Sequence, residues 1–265
     1  MPGAFRLLFI GDVVGEGGVE AVRTLTPRLR EELSLDAVVV NGENSAGGRG
    51  ITRETARALL EEADLLTLGD HAYDKEEARN LLDEERRVLR PANFVPEEPG
   101  AGWGVFEAGG GRRIGVVNLQ GRVFMQEVPG SPFEVADRAL EALAAAEAEI
   151  VVVDFHAEAT AEKQGLGYYL EGRAQAVIGT HTHVPTADEK VLPGGTAYIS
   201  DVGMVGGSEG IIGLSREAFM GLLLREESLE GGAHEGPVEF NAALVEFDGH
   251  GRAVGIRRIR RELKR

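Results

Sequence analysis

The sequence, 265 residues long, predicts an α/β (α+β) fold built as a layered sandwich, with sheets inside and helices outside. Three observations point there. Short runs rich in Val, Ile and Leu recur at 7–10, 37–40, 65–68, 150–153 and 176–178, and at that length and composition they read as buried strands. Amphipathic stretches separate several of them, as the crossovers of a largely parallel sheet do. No internal repeat or long linker divides the chain, so residues 1–265 are expected to form one domain, long enough to bury a substantial core.

Each element has a local reason. After the first run and a glycine-rich turn, residues 19–33 put Val22, Leu25, Leu29 and Leu33 on one stripe of a helix. The second run leads through glycines 47, 48 and 50 to Thr52, a good N-cap for a helix over 53–63. After the third, Asp74 is expected to cap a helix ending near Asp83. Residues 103–108, the turn Gly109-Gly110-Gly111 and residues 113–119 read as a hairpin. Pro129-Gly130-Ser131-Pro132 opens a helix reaching about Ala146. Residues 150–183 resume the strand–loop–helix–strand rhythm, and 239–248 and 253–260 read as strands joined at Gly249-His250-Gly251. Segments 96–100 and 230–236 read as exposed loops.

The formal net charge of −16 argues against sequence-blind binding to nucleic-acid polymers or anionic membranes. It does not exclude a small anionic substrate, because a bound metal inverts the local field. The basic stretch 257–265 alternates like the solvated face of an edge strand. There is no cysteine, so a metal must take N and O donors. That also suits a reducing cytoplasm. Residues 1–20 read as a strand and a loop rather than a signal peptide, and no apolar run nears the roughly 20 residues of a membrane span. A cytoplasmic protein is expected, with a homo-oligomer compatible but unspecified.

Each of the five runs stops at reactive chemistry. Gly11-Asp12 follows the first, Asn41-Gly42-Glu43-Asn44 the second and Gly69-Asp70-His71 the third. Asp154-Phe155-His156 follows the fourth and Gly179-Thr180-His181-Thr182-His183 the fifth. Sites in open α/β sheets form beyond the carboxyl ends of the strands, so these stops are expected to meet at one edge of one sheet. Of the six histidines, His234 and His250 alone lie elsewhere, in Gly-rich loops, and read as solvated. A single Asp or Asn at a strand end is ordinarily a turn residue. Five stops that mix carboxylate, amide and imidazole suit Mn, Fe or Zn instead.

The ordered set GD, NGEN, GDH, DFH and GTHTH resembles the calcineurin-like metallophosphoesterases, and more closely their YmdB-like bacterial branch, which hydrolyses cyclic nucleotides. The closer resemblance rests on residues 41–52 (NGENSAGGRGIT), 154–163 (DFHAEATAEK), 179–186 (GTHTHVPT) and 200–204 (SDVGM). It implies a four-layer αββα metallophosphoesterase-type sandwich. It also implies two divalent or trivalent metal ions, Fe or Mn, with Zn as the alternative. By the same resemblance Asp12, Glu43, Asn44 and His183 hold one ion. Glu43, Asp70, His156 and His181 hold the other, with Glu43 bridging the pair. Val14 stands where the broader superfamily carries a further His, and the Asn44 amide oxygen is expected to replace that donor. The implied reaction is attack of a metal-bridging hydroxide on a small phosphoester, a 2′,3′- or 3′,5′-cyclic mononucleotide. His71 is the catalytic candidate serving the leaving ribose oxygen.

Asp70 departs from the family pattern, which has Asn in a GNH motif. A carboxylate binds metal through its charge but cannot donate a hydrogen bond to a phosphoryl group. Two alternatives follow: a broader phosphomonoesterase or phosphodiesterase, and a metal-binding regulatory protein with catalysis damped by Asp70. Among neighbouring residues, Asp154 is a candidate to orient an imidazole or, equally, to satisfy a helix N-terminus. Glu158, Thr160 and Lys163 read equally as substrate-site groups or as a cap and an exposed salt bridge. Arg49 reads as a phosphate contact or an exposed cation, and Tyr73 and Phe155 as base-stacking or packing residues. Glycines 47, 48 and 50 would let backbone approach the substrate.

Overall fold

The computed structural model describes residues 5–225 and 232–264. Strands β1 (Phe5–Ile10) and β2 (Asp12–Val13) precede helix α1 (Gly15–Leu33). Then come β3 (Ala37–Asn41), α2 (Arg53–Leu60), β4 (Leu65–Thr67), α3 (Ala78–Glu84) and β5 (Val88–Leu89). The hairpin β6 (Trp103–Glu107) and β7 (Arg113–Gln120) leads to α4 (Pro132–Ala145), β8 (Ile150–His156), α5 (Thr160–Tyr169) and β9 (Ala176–Thr180). The chain continues through β10 (Lys190–Val191), β11 (Ala197–Ile199), β12 (Met204–Gly207) and α6 (Arg216–Arg225), and closes with β13 (Val238–Phe247) and β14 (Ala253–Leu263).

The strands form two sheets. The eight-stranded sheet runs β2-β12-β13-β1-β3-β4-β5, with β14 on the outer side of β13. The six-stranded sheet runs β10-β11-β9-β8-β7-β6. Within them β1, β3, β4 and β5 are mutually parallel, as are β7, β8, β9 and β11.

Period-two alternation explains why the sheets stack. In β1, Leu7 and Phe9 join one hydrophobic cluster while Leu8 and Ile10 join another. In β8, Ile150 and Val152 join that first cluster, and Val151, Val153 and Phe155 a third. The shared cluster, with Val39 from one sheet and Ile178 from the other, lies between the sheets. Val22 and Leu29 of α1 and Leu59 of α2 cover the outer face of the large sheet. Val135 and Leu143 of α4 and Leu166 of α5 cover that of the small one. Three interlayer cores make four layers, αββα, as the resemblance implied.

Several expectations change. The strand stops do not line one edge of one sheet: β1, β3 and β4 belong to the large sheet, β8 and β9 to the small one. Helix α1 begins at Gly15 rather than at residue 19, because its glycine turn is itself helical. A Cβ on Gly18 would lie 2.3 Å from the Val205 carbonyl oxygen, so only glycine admits that packing on β12. Asp74 caps nothing; α3 starts at Ala78, and Asp74 turns instead to Arg49 and His71. His250 is exposed, but His234 is half-buried. Its ring lies over glycines 207 and 210, which leave room for it. Of the loop expected at 230–236, residues 230 and 231 lie outside the described residues. The edge-strand reading of the basic end holds, since β14 pairs with β13 alone.

Candidate metal centre

The site forms where the carboxyl ends of β1, β3 and β4 meet those of β8 and β9 across the two sheets. Four donors come closest. One ligand atom from each of Glu43, Asp70, His156 and His181 lies within 4.8 Å of the other three. His156 is central: its Nε2 lies 3.1 Å from Glu43 Oε1, 3.1 Å from Asp70 Oδ1 and 3.0 Å from His181 Nδ1.

Local structure aims each group. The Asn41 side chain accepts the Glu43 N–H at 3.1 Å, a tight turn that points the Glu43 side chain inward. Gly69 lets the third strand end come close, since a Cβ there would lie 2.2 Å from Glu43 Oε2. The His156 ring is set by its far nitrogen: Nδ1 is 2.9 Å from Thr180 Oγ1, which donates to Asp154 Oδ1 at 2.7 Å. Asp154 Oδ2 also accepts from Asn41 and Thr67 at 3.0 and 2.5 Å. Asp154 therefore orients the imidazole through Thr180 and ties four strand ends together. The sequence pattern missed Thr180 and Thr67. Their signal was a polar residue ending a wholly buried strand.

The remaining expected ligands surround this cluster. Asp12 is fully buried; its Oδ2 accepts the His181 N–H at 3.2 Å, and its Oδ1 lies 3.7 Å from His156 Nδ1. Asn44 Nδ2 bridges Glu43 Oε1 at 3.0 Å and His183 Nε2 at 3.2 Å. The amide oxygen expected as a metal donor requires the other orientation of this group. Nitrogen rather than oxygen faces the centre, because a carboxylate and an imidazole lone pair both attract an N–H; a half-turn about Cβ–Cγ exchanges the two atoms. His183 donates from Nδ1 to the Ile212 carbonyl at 2.8 Å, which leaves Nε2 facing inward.

His71 adjoins the cluster. Its N–H donates to Glu43 Oε2 at 3.3 Å, and its Nε2 lies 3.7 Å from Asp70 Oδ2. Its Nδ1 is 3.0 Å from Asp74 Oδ2, close enough for an ion pair but off the line of a hydrogen bond. Arg49 is engaged by Asp74. Tyr73 packs on Phe94 and donates to the Pro99 carbonyl at 2.6 Å, and Phe155 is wholly buried, so neither is placed to stack a base. Glu158 meets His181 Nε2 at 3.3 Å, and Thr160 opens α5 without capping it. Lys163 is buried rather than exposed.

The electrostatics call for a cation. Burial pushes Asp12 up to about 8, and its Oδ1 has no hydrogen-bond partner among the described residues. Burial alone would lower His156, but Glu43 and Asp70 outweigh it and hold the imidazole well above its usual range. Burial alone would raise Glu43 and Asp70, but the His156 charge leaves both below theirs. A proton on His156 would thus do the work of a positive ion beside the Glu43 and Asp70 carboxylates. The N and O donor set, the orphaned Asp12 oxygen and the close approach of Gly69 to Glu43 and His156 all fit a metal ion. Burial lowers His183, keeping it neutral as a ligand must be.

Comparison with known proteins decides the family. The sequence profile described as YmdB-like protein matches residues 8–259. The chain belongs to the YmdB-like family. A Bacillus subtilis (strain 168) relative, named 2′,3′-cyclic-nucleotide 2′-phosphodiesterase, is 42% identical over 256 residues, covering 96% of each chain. The YmdB-like architecture recurs in solved structures. A hypothetical protein from Thermus thermophilus superposes with a TM-score of 0.91 at 44% identity, over 97% of this chain and 99% of that one. A Mycoplasma pneumoniae protein described as a novel phosphatase does so with a TM-score of 0.90 at 28% identity, over 100% and 95%. No helix among the described residues is long and apolar enough to cross a membrane.

Proposed function

We propose that this YmdB-like chain is a metal-dependent phosphodiesterase acting on cyclic mononucleotides, 2′,3′-cyclic first and 3′,5′-cyclic in the same class. The observation that carries the reading is the convergence of Glu43, Asp70, His156 and His181 within 4.8 Å. In this reading two ions would be held, with Glu43 contributing to both ligand sets. Asp12, Asn44 and His183 complete one ligand set; Asp70, His156 and His181 complete the other. The mixed N/O donors suit Fe or Mn, with Zn as the alternative. When bound, such ions supply an activated water and neutralise charge on the phosphate oxygens.

The chain's own groups do the rest. Asp154, through Thr180, fixes which His156 nitrogen faces inward. The Ile212 carbonyl does the same for His183. In this reading His71, whose Nε2 lies 3.7 Å from Asp70 Oδ2 and whose Nδ1 lies 3.0 Å from Asp74 Oδ2, would serve the leaving ribose oxygen from Nε2. A second reading, a broader phosphatase at the same centre, is favoured by the Mycoplasma pneumoniae neighbour's description.

The test is hydrolysis of 2′,3′-cyclic AMP by Mn-loaded protein, beside an EDTA-treated sample and His71→Ala. The expected result is turnover that needs metal and falls about 10²–10⁴-fold in His71→Ala. No turnover with metal present by elemental analysis overturns the reading. Faster hydrolysis of p-nitrophenyl phosphate than of the cyclic nucleotide favours the broader one.

A further inference from the structure

Lys163 occupies an unfavourable place. It is 2% exposed and lies near the N-terminal end of α5, so its charge opposes both its own desolvation and the helix dipole. It is held by two groups: Nζ donates to the Thr180 carbonyl at 2.8 Å and to Asp201 Oδ2 at 2.7 Å. Asp201 Oδ2 also accepts the Thr182 N–H at 3.0 Å and the Thr182 hydroxyl at 2.8 Å. Asp201 Oδ1 accepts the Gly203 N–H at 2.8 Å. The pair therefore grips Thr182 and the residue before the His-x-His turn at once.

That turn needs a grip. His181 has φ 97° and His183 φ 66°, both in the left-handed region that side chains other than glycine's seldom occupy. Thr182, the residue between them, is the one the pair holds. Gly179 makes room for the arrangement, since a Cβ there would lie 1.8 Å from the Ser200 carbonyl oxygen and 3.2 Å from Lys163 Cδ. A buried ion pair is a poor device for stability alone, because well-packed apolar residues of similar volume serve as well or better. We propose that Lys163 and Asp201 are positioning residues. They hold the 181–183 turn in its strained form, so that the imidazoles of His181 and His183 face the metal centre. The inference rests on the metal-centre reading above.

Lys163→Met/Asp201→Asn removes both charges at nearly constant volume and leaves neither buried and unpaired. Three quantities decide: Mn²⁺ affinity by calorimetry, the melting temperature of metal-free protein, and its ¹⁵N–¹H imidazole correlations. A variant melting near wild type is expected to bind Mn²⁺ roughly 10–100-fold more weakly. Its His181 and His183 signals should shift while that of exposed His250 stays. A folded variant with wild-type affinity and unmoved signals overturns the proposal. If the double variant does not fold, Thr182→Val replaces it. That change removes one hydroxyl from the Asp201 grip and should weaken Mn²⁺ binding and move the same signals; no change in either overturns the proposal. If wild-type protein takes up no Mn²⁺, the metal-centre reading fails instead, and the imidazole signals of the metal-free proteins still decide the positioning.

Discussion

Gly69→Ala should silence the metal centre while leaving the fold intact. The φ of Gly69 lies outside the left-handed region, so alanine suits the backbone. Its Cβ, however, would lie 2.2 Å from Glu43 Oε2 and 2.3 Å from both Cδ2 and Nε2 of His156. Non-bonded atoms settle at about 3.5 Å, so the carboxylate and the imidazole must each retreat by roughly 1 Å. Both side chains are buried, at 1% and 0% exposure, so neither can swing out into solvent without disturbing its neighbours. A misplacement of about 1 Å costs on the order of 10²-fold in function. Overpacking a core costs about 1–3 kcal/mol, which at this chain length lowers the melting temperature by several degrees. The assay is Mn²⁺ calorimetry with thermal melting and 2′,3′-cyclic AMP hydrolysis, beside Gly104→Ala. At Gly104 the added Cβ meets nothing closer than Leu89 at 3.8 Å, so that control should bind metal as wild type does. Wild-type metal binding and turnover in Gly69→Ala would refute the assignment of Glu43 and His156 to the centre.

Two further outcomes follow from the same geometry. Asp70→Asn removes one of the two carboxylates 3.1 Å from His156 Nε2, so metal binding should weaken. At saturating metal, turnover should rise by up to roughly 10²–10³, because the amide can donate to the phosphoryl group; unchanged or slower turnover in steady-state kinetics contradicts this. Burial pushes Asp12 up to about 8, and Glu43 and Asp70 hold His156 well above its usual range, so both should carry protons at pH 7 in metal-free protein that metal ligation would displace. Mn²⁺ uptake at pH 7 should therefore release on the order of two protons, and affinity should fall as pH drops. Calorimetry in two buffers of different ionisation enthalpy measures the number, and no release contradicts the ligand set.

The sequence by itself determined the elements and the chemistry at their ends. Runs such as 150–153 form strands, and residues 103–119 a hairpin, because alternation and turn residues act over a few neighbours. Asp12, Glu43, Asp70 and His156 were legible because each follows such a run within a few positions. Only the tertiary structure decided which sheet each strand joined, and so that the donors meet across two sheets rather than along one. It alone paired Asn41 with Asp154, 113 residues away, and Lys163 with Asp201, 38 away. It also turned Asp74 from an expected helix cap to His71. Local patterns set which face of a strand is apolar, but every buried polar group still needs a partner. Which partner it finds depends on how the four layers stack, and that is settled only by the packing of the whole chain.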